Sequence, residues 1–161
     1  MIHLQHILVP TDFSETSEAA MKYGVALARA FKAQLHLLHV PEPGEAAEVE
    51  HPIGLADTTQ DPAGEQLSTL LTEDEMTELH PKRVMRNGKP YNEIVRYAQE
   101  QDIDLIVIGT HEREGVAHLL IGGVAEKLVR SAPCPVLTVH HPEHEFVLPD
   151  ERAGHTTEAT T

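Results

Sequence analysis

The 161-residue chain has 26 acidic and 12 basic side chains, a formal charge of −14 at neutral pH, and this excess of acid opposes binding to nucleic acid. No lysine or arginine occurs between Lys32 and Lys82. Tryptophan is absent and aromatic residues make up 4% of the chain, which removes the stacking surfaces that single-strand binders use. We therefore expect a protein that does not bind nucleic acid.

The length suits one domain with its own hydrophobic core. Cys134 is the single cysteine, so an intrachain disulfide is excluded and a reducing compartment is indicated. The apolar runs are too short to span a bilayer, and the first residues do not have the pattern of a secretion signal. The sequence thus predicts a cytoplasmic protein without a membrane partner.

The first predicted unit is a strand, a helix and a second strand. Leu4–Val9 is short, apolar and rich in β-branched residues, and we expect this strand to end at Pro10, which cannot donate to a central ladder. Ser14 is a typical N-cap for a helix that runs to Lys32. Gln34–Val40 is almost continuously apolar, which indicates a parallel strand covered on both faces.

The middle of the chain is less regular. Residues 41–64 hold four prolines and several acids without periodicity, and they predict a long acidic surface loop. Spaced leucines predict one helix over Glu65–Leu79, followed by a third strand over Lys82–Arg86. Pro90, in a Gly-Lys-Pro sequence, opens the next helix.

Two further strands follow. Asp104–Gly109 has the strongest buried-strand character in the chain. A helix begins at the Gly122–Gly123 pair, and a fifth strand is predicted over Pro135–Val139. Residues 141–161 contain little to bury and predict a flexible polar tail.

This alternation predicts an α/β fold: a single doubly wound, five-stranded parallel sheet, Rossmann-like, with helices on both faces, over residues 1–140. Ligands of such sheets bind beyond the carboxyl ends of the strands, where the winding reverses. If the first and fourth strands are central neighbours, the loops Pro10–Asp12 and Gly109–Glu112 face each other across a crevice.

Two features of the sequence could bind a nucleotide. Asp12 follows a central strand, where a carboxylate can accept hydrogen bonds from ribose hydroxyls; alternatively, it caps the following helix. The Gly122–Gly123 pair offers backbone N–H groups to phosphate; alternatively, it is a flexible helix start. A Walker motif is absent, and no spacing singles out a catalytic residue.

Histidines are numerous, with twelve in the chain. His140, His141 and His144 could bind Zn²⁺ adventitiously, but a stable site usually needs four ligands, and solvated histidines are the simpler interpretation. His36 and His39 alternate with apolar residues on a strand, which predicts neutral, hydrogen-bonded side chains. We predict no metal site among them.

The motifs resemble those of the universal stress protein family. One block is His6–Ser14, and a more specific block comprises Asp104–His111, Leu119–Gly122 and Val124–Val136, with Gly88–Pro90 between the two. The match spans roughly residues 1–140 without the acidic loop, and the order of blocks agrees with the fold predicted above. The chain is identified as a member of this family.

The resemblance implies a homodimer formed through the last strand, whose apolar residues are Val136, Leu137 and Val139. An uncovered strand edge favours such pairing, although the tail could cover it instead. The resemblance also implies a stress-response regulator that acts through an unknown protein partner. A nucleotide-independent interaction module and a slow ATP hydrolase remain alternatives.

In many members of the family the crevice holds ATP or another adenine nucleotide, with Mg²⁺ as a possible companion. Carried over to this sequence, the adenine and ribose end lies at Pro10, Thr11 and Asp12, and Val40 flanks the base. The phosphates are lined by Gly109, Gly122, Gly123 and Val124.

Two positions depart from the family's nucleotide signature. Gly123 replaces a Ser or Thr, which removes one hydrogen bond to phosphate, worth about 1.5–3 kcal/mol with a charged acceptor. Glu112 replaces a glycine and repels a phosphate by about 4 kcal/mol at about 4 Å and an effective dielectric constant near 20. This repulsion could turn a micromolar site into a millimolar one, unless Glu112 turns to solvent, shares Mg²⁺ or favours a ligand with fewer phosphates.

Overall fold

A computed structural model of the chain describes residues 1–41, 62–110 and 123–140. The strands within these residues are β1 His6–Thr11, β2 Gln34–His39, β3 Lys82–Met85, β4 Leu105–Thr110 and β5 Val136–His140. The helices are α1 Glu15–Phe31, α2 Pro62–Thr69, α3 Glu73–Leu79, α4 Pro90–Glu100 and α5 Gly123–Ser131. None of these five helices is long and apolar enough to cross a membrane.

The strands of the described ranges form one sheet in the order β3-β2-β1-β4-β5, and every recorded pair is parallel. The chain winds outward from β1 to β3 and then returns to the other side of β1 for β4 and β5. The predicted doubly wound sheet is confirmed, and β1 and β4 are its central neighbours. The winding therefore reverses between these two strands.

Two apolar layers cover the sheet because alternate residues of each strand point to opposite faces. Ile7 and Val9 pack with α1 and with Leu67 of α2. Leu8 packs in the second layer, which contains Ile94 of α4 and residues of α5. Ile7, Leu8 and Val9 are fully buried, so helices lie on both faces as predicted.

Helix α1 begins and ends where local signals place it. The Ser14 side chain accepts a hydrogen bond from the Ser17 N–H at 3.4 Å, and Glu15 and Glu18 lie in the first turn near the positive end of the helix dipole. Lys32 adopts the left-handed conformation at the C-cap, with φ 55°. The predicted helix is confirmed at both ends.

The prediction that β1 ends before Pro10 is wrong. The strand starts at His6 and continues through Pro10 and Thr11, which pair with the last two residues of β2. The ladder with β4 covers Ile7 and Leu8. Pro10 therefore lies where β1 is paired on one side, and a missing N–H group is tolerated there as it is in an edge strand.

The single helix predicted over Glu65–Leu79 is instead the two helices α2 and α3. The break is a capping box at Thr72: its hydroxyl accepts from the Glu75 N–H at 3.2 Å, and the Glu75 carboxylate accepts from the Thr72 N–H at 2.9 Å. Because these bonds satisfy free donors at a helix start, a new helix begins there. Leu67 of α2 and Leu71, which lies between the two helices, are both buried.

The loop predicted over residues 41–64 ends earlier than expected, because α2 starts at Pro62. Proline is favoured in the first turn of a helix, where its missing N–H costs nothing. Residues 42–61 and the predicted tail 141–161 lie outside the described residues.

Candidate functional site

The carboxyl ends of β1, β2 and β4 meet at one edge of the sheet. Thr11 pairs with His39, and Val40 follows directly after β2. The β1–β4 ladder pairs Leu8 with Ile106, and the same offset places Gly109 level with Thr11. The structure thus brings the Pro10–Asp12 segment, Val40 and Gly109 to the edge where the winding reverses.

Asp12 is exposed at this edge and is bonded to the start of α1. Its Oδ1 accepts a hydrogen bond from the Ser14 N–H at 3.0 Å, and the Ser14 hydroxyl donates to the same oxygen. Asp12 is therefore bonded to the N-cap residue of α1, whereas the cap itself is Ser14. A carboxylate has about four lone-pair directions, so this role is compatible with a ligand contact.

A hydroxyl network joins the end of β1 to α1. The buried Thr11 Oγ1 accepts from the Phe13 N–H at 3.0 Å and lies 3.1 Å from Ser17 Oγ. Ser17 Oγ donates to the Ser14 carbonyl at 2.8 Å, so the Thr11 hydroxyl donates to Ser17. The turn that carries Asp12 is consequently bonded on both sides.

Gly109 lies against the first turn of α1. A Cβ atom at this position would come within 2.3 Å of the Thr16 carbonyl oxygen and 3.0 Å of the Ser17 nitrogen. Glycine at this position is therefore required by the close approach of β4 to α1. The family resemblance implied a phosphate-lining role for Gly109, but the packing requirement was not visible from spacing.

Helix α5 begins at Gly123. The next residue, Val124, is partly buried against the apolar layer that contains Leu128. The helix start is exposed, and its N–H groups carry the positive end of the helix dipole. Gly122 and Glu112, the other two predicted site residues, lie outside the described residues.

A buried polar chain crosses the layer on the α4 side of the sheet. His36 is fully buried; its Nδ1 lies 2.8 Å from the Tyr97 hydroxyl and its Nε2 lies 3.1 Å from His6 Nδ1. Burial lowers the pKa of His36 to about 4, and the charges of Lys82 and His6 act in the same direction. Burial raises the pKa of Tyr97 to about 12 against the effect of Arg86, whose guanidinium lies 4.8 Å from the ring centre. The predicted neutral, hydrogen-bonded state of His36 fits this environment.

The other reactive side chains singled out by the sequence are Cys134 and the histidines at and beyond the end of β5. Burial, together with the Asp104 carboxylate, raises the pKa of the Cys134 thiol, so it is protonated at neutral pH. Within the described ranges, no three His, Cys, Asp or Glu side chains form a group that could hold a metal ion. Of the terminal histidines, His140 lies 2.6 Å from Thr110 through its Nδ1, whereas His141 and His144 lie outside the described residues.

The parallel sheet and its winding reversal between β1 and β4 define a Rossmann-like α/β domain. The family model described as "Universal stress protein family" matches residues 3–140. The chain belongs to the universal stress protein family.

Known proteins agree with this assignment. Universal stress protein MJ0531 of Methanocaldococcus jannaschii is 33% identical over 145 residues, covering 86% of this chain and 84% of the relative. A universal stress protein solved in complex with cAMP is 23% identical, with a TM-score of 0.63 over 86% of this chain and 98% of the other. The universal stress protein from Archaeoglobus fulgidus solved in complex with dAMP is 21% identical, with a TM-score of 0.55 over 86% of this chain and 99% of the other. At these identities the two solved structures support the fold.

Proposed function

We propose that this protein is a homodimeric, non-enzymatic stress-response regulator that binds an adenine mononucleotide in the crevice between β1 and β4 and acts through a protein partner. The observation that carries the proposal is the winding reversal between β1 and β4, which brings the exposed Asp12 carboxylate and Gly109 to the same edge of the sheet. Asp12 binds the ribose, Val40 flanks the base, and the start of α5 faces the phosphate.

The ligand is a monophosphate on two grounds. The two solved relatives described above are complexes with cAMP and with dAMP, and each of these ligands has one phosphate. In this chain Glu112 occupies a glycine position of the nucleotide signature, and its repulsion grows with the charge of the ligand. A monophosphate therefore meets a smaller penalty than a triphosphate.

Each of these two nucleotides retains one free ribose hydroxyl, the 2′-hydroxyl in cAMP and the 3′-hydroxyl in dAMP. A single carboxylate at the ribose level can accept from either position. Asp12 fits this role because its turn is held by Thr11 on one side and by Ser14 on the other.

The homodimer is proposed through β5. Among the described strands, β5 pairs with β4 and forms the edge of the sheet. Its apolar residues Val136 and Leu137 are half-buried, and Val139 is buried. A strand edge of this kind is normally covered, and a twofold axis beside β5 would cover it with the same strand of a second copy.

Native mass spectrometry with and without AMP tests the proposal, because it reports subunit number and bound ligand together. We expect a dimer with one AMP per subunit. Asp12→Ala should remain a dimer but lose AMP binding by at least about tenfold, the effect of one hydrogen bond to a charged group. A dimer that stays empty at millimolar AMP would contradict nucleotide binding and leave a nucleotide-independent interaction module.

Glu112→Gly should strengthen ATP binding more than AMP binding, because a triphosphate carries more charge towards this position. From the repulsion of about 4 kcal/mol described above, a gain of at least about tenfold for ATP is expected. Isothermal titration calorimetry measures both affinities, and Glu112→Gln provides the matched variant that removes charge while keeping size. Equal gains for the two nucleotides would contradict the charge argument.

A further inference from the structure

His39 lies directly beside the turn that carries Asp12. It is the last residue of β2, pairs with Thr11 of β1 and is 8% exposed. Its Nδ1 lies 2.8 Å from the Thr11 carbonyl oxygen. Because a carbonyl oxygen can only accept, His39 Nδ1 must carry a proton and donate it. The orientation of the imidazole is thereby fixed, and the carbonyl of Thr11 is fixed with it.

Phe13, on the other side of Asp12, has an unusual backbone. Its φ is 62°, in the left-handed region that costs a non-glycine residue of order 1–3 kcal/mol. Two contacts hold it there: its N–H donates to Thr11 Oγ1 at 3.0 Å, and its ring packs on the His39 imidazole with 4.5 Å between ring centres. Strain held by surrounding contacts is a feature of functional sites.

Thr11, Phe13 and His39 therefore form one cluster around Asp12, which we call the turn clamp. Thr11 precedes Asp12 and Phe13 follows it, so the clamp sets the direction of both peptide groups that flank the carboxylate. His39 contacts both members, through its Nδ1–H and through its ring. Neither contact is visible from the sequence, because Thr11 and His39 are 28 residues apart.

We propose that His39 is a positioning residue for ribose recognition: through the turn clamp it holds the Asp12 carboxylate in the direction that meets the ribose hydroxyls. This inference rests on the proposed function, because it assigns His39 a role in the same nucleotide crevice. His39 acts through Asp12 and does not itself contact the ligand.

Calorimetric affinities for two ligands, AMP and 2′,3′-dideoxy-AMP, test the inference. His39→Leu should weaken AMP binding by about tenfold, which corresponds to about 1.4 kcal/mol, and should leave dideoxy-AMP binding unchanged because that ligand has no ribose hydroxyl. His39→Asn, whose side-chain amide places a donor near the position of Nδ1, should restore AMP binding to within about threefold of wild type. An equal loss for both ligands would overturn the inference.

A double-mutant cycle gives an independent answer. In the Asp12→Ala background, His39→Leu should have no further effect on AMP binding, since the carboxylate that it positions is gone. A full additional tenfold loss in that background would show that His39 acts elsewhere. If His39→Leu does not fold, Phe13→Ala removes the ring contact from the other side of the clamp and should show the same ligand dependence.

Amide hydrogen exchange tests the turn clamp in the absence of nucleotide. The Phe13 and Ser14 amides donate to Thr11 and Asp12 respectively, so both should exchange faster in His39→Leu and recover in His39→Asn. Unchanged exchange would overturn the positioning role. If wild-type protein binds no AMP, the proposed function is contradicted. The exchange rates still test, independently of AMP, whether His39 holds the turn that carries Asp12.

Discussion

Replacing Gly109 with alanine is expected to lower the free energy of unfolding by about 3 kcal/mol, at the upper end of the usual cost of overpacking. The new methyl group would lie 2.3 Å from the Thr16 carbonyl oxygen and 2.5 Å from its carbon. Both atoms belong to the backbone of α1, so a side-chain rotation cannot relieve the contact. Helix α1 must move away from β4, and the Thr11–Ser17 hydrogen bond is stretched as it moves.

Urea unfolding of ligand-free protein measures this effect as a lower midpoint with an unchanged slope. Gly123→Ala is the matched control, because no described atom lies within 4 Å of a Cβ built at that position. Its stability should stay within about 1 kcal/mol of wild type or rise, since alanine is the better helix former. Similar losses in the two variants would show that steric contact with Thr16 is not the cause.

Stability is expected to fall by about 3 kcal/mol between pH 7 and pH 4 through His36 alone. The folded protein holds His36 neutral, with its pKa lowered to about 4 from a value of 6.5, because the charged form would lose its hydration in a fully buried site. Between these two pH values the unfolded chain binds more protons than the folded one, so unfolding becomes easier as the pH falls. Above pH 7 both states hold His36 neutral, and this contribution to stability is complete.

Denaturant unfolding of wild type and of His36→Gln at several pH values measures this effect. Comparison of the two proteins separates the contribution of His36 to the pH dependence from that of the other histidines. Glutamine can hydrogen bond with Tyr97 but does not titrate, so the variant should be less stable at pH 7 and lose less stability towards pH 4. Between pH 7 and pH 4 wild type should lose about 3 kcal/mol more stability than His36→Gln, each measured against its own value at pH 7. Parallel curves would contradict the assignment of the shift to His36.

The candidate site was predicted in part. The sequence placed Pro10–Asp12 and Gly109 in facing loops, and the structure brings them to the same edge. For Asp12 the sequence left ribose binding and capping open, and the structure shows Asp12 bonded to Ser14, which is itself the N-cap of α1. His39 was predicted as a hydrogen-bonded strand residue, but its place in the turn clamp was missed. Its partners are set by strand register, which the sequence does not show.

One error had a signal in the sequence. Thr72 and Glu75 have the spacing of a capping box, yet leucine periodicity alone predicted an unbroken helix through them. The error at Pro10 had no such local signal, because the tolerance of a proline in β1 depends on how far the β4 ladder extends.

By itself, the sequence determined the alternation of strands and helices, the parallel sheet and both ends of α1, because these follow from apolar periodicity and from capping residues within a few positions of each other. Its motif blocks identified the family by resemblance. Only the tertiary structure decided which groups meet across the sheet. His36 and Tyr97 are 61 residues apart, and Gly109 meets Thr16 from the far half of the chain. Such contacts depend on the register and distance of packed elements, which no local pattern encodes.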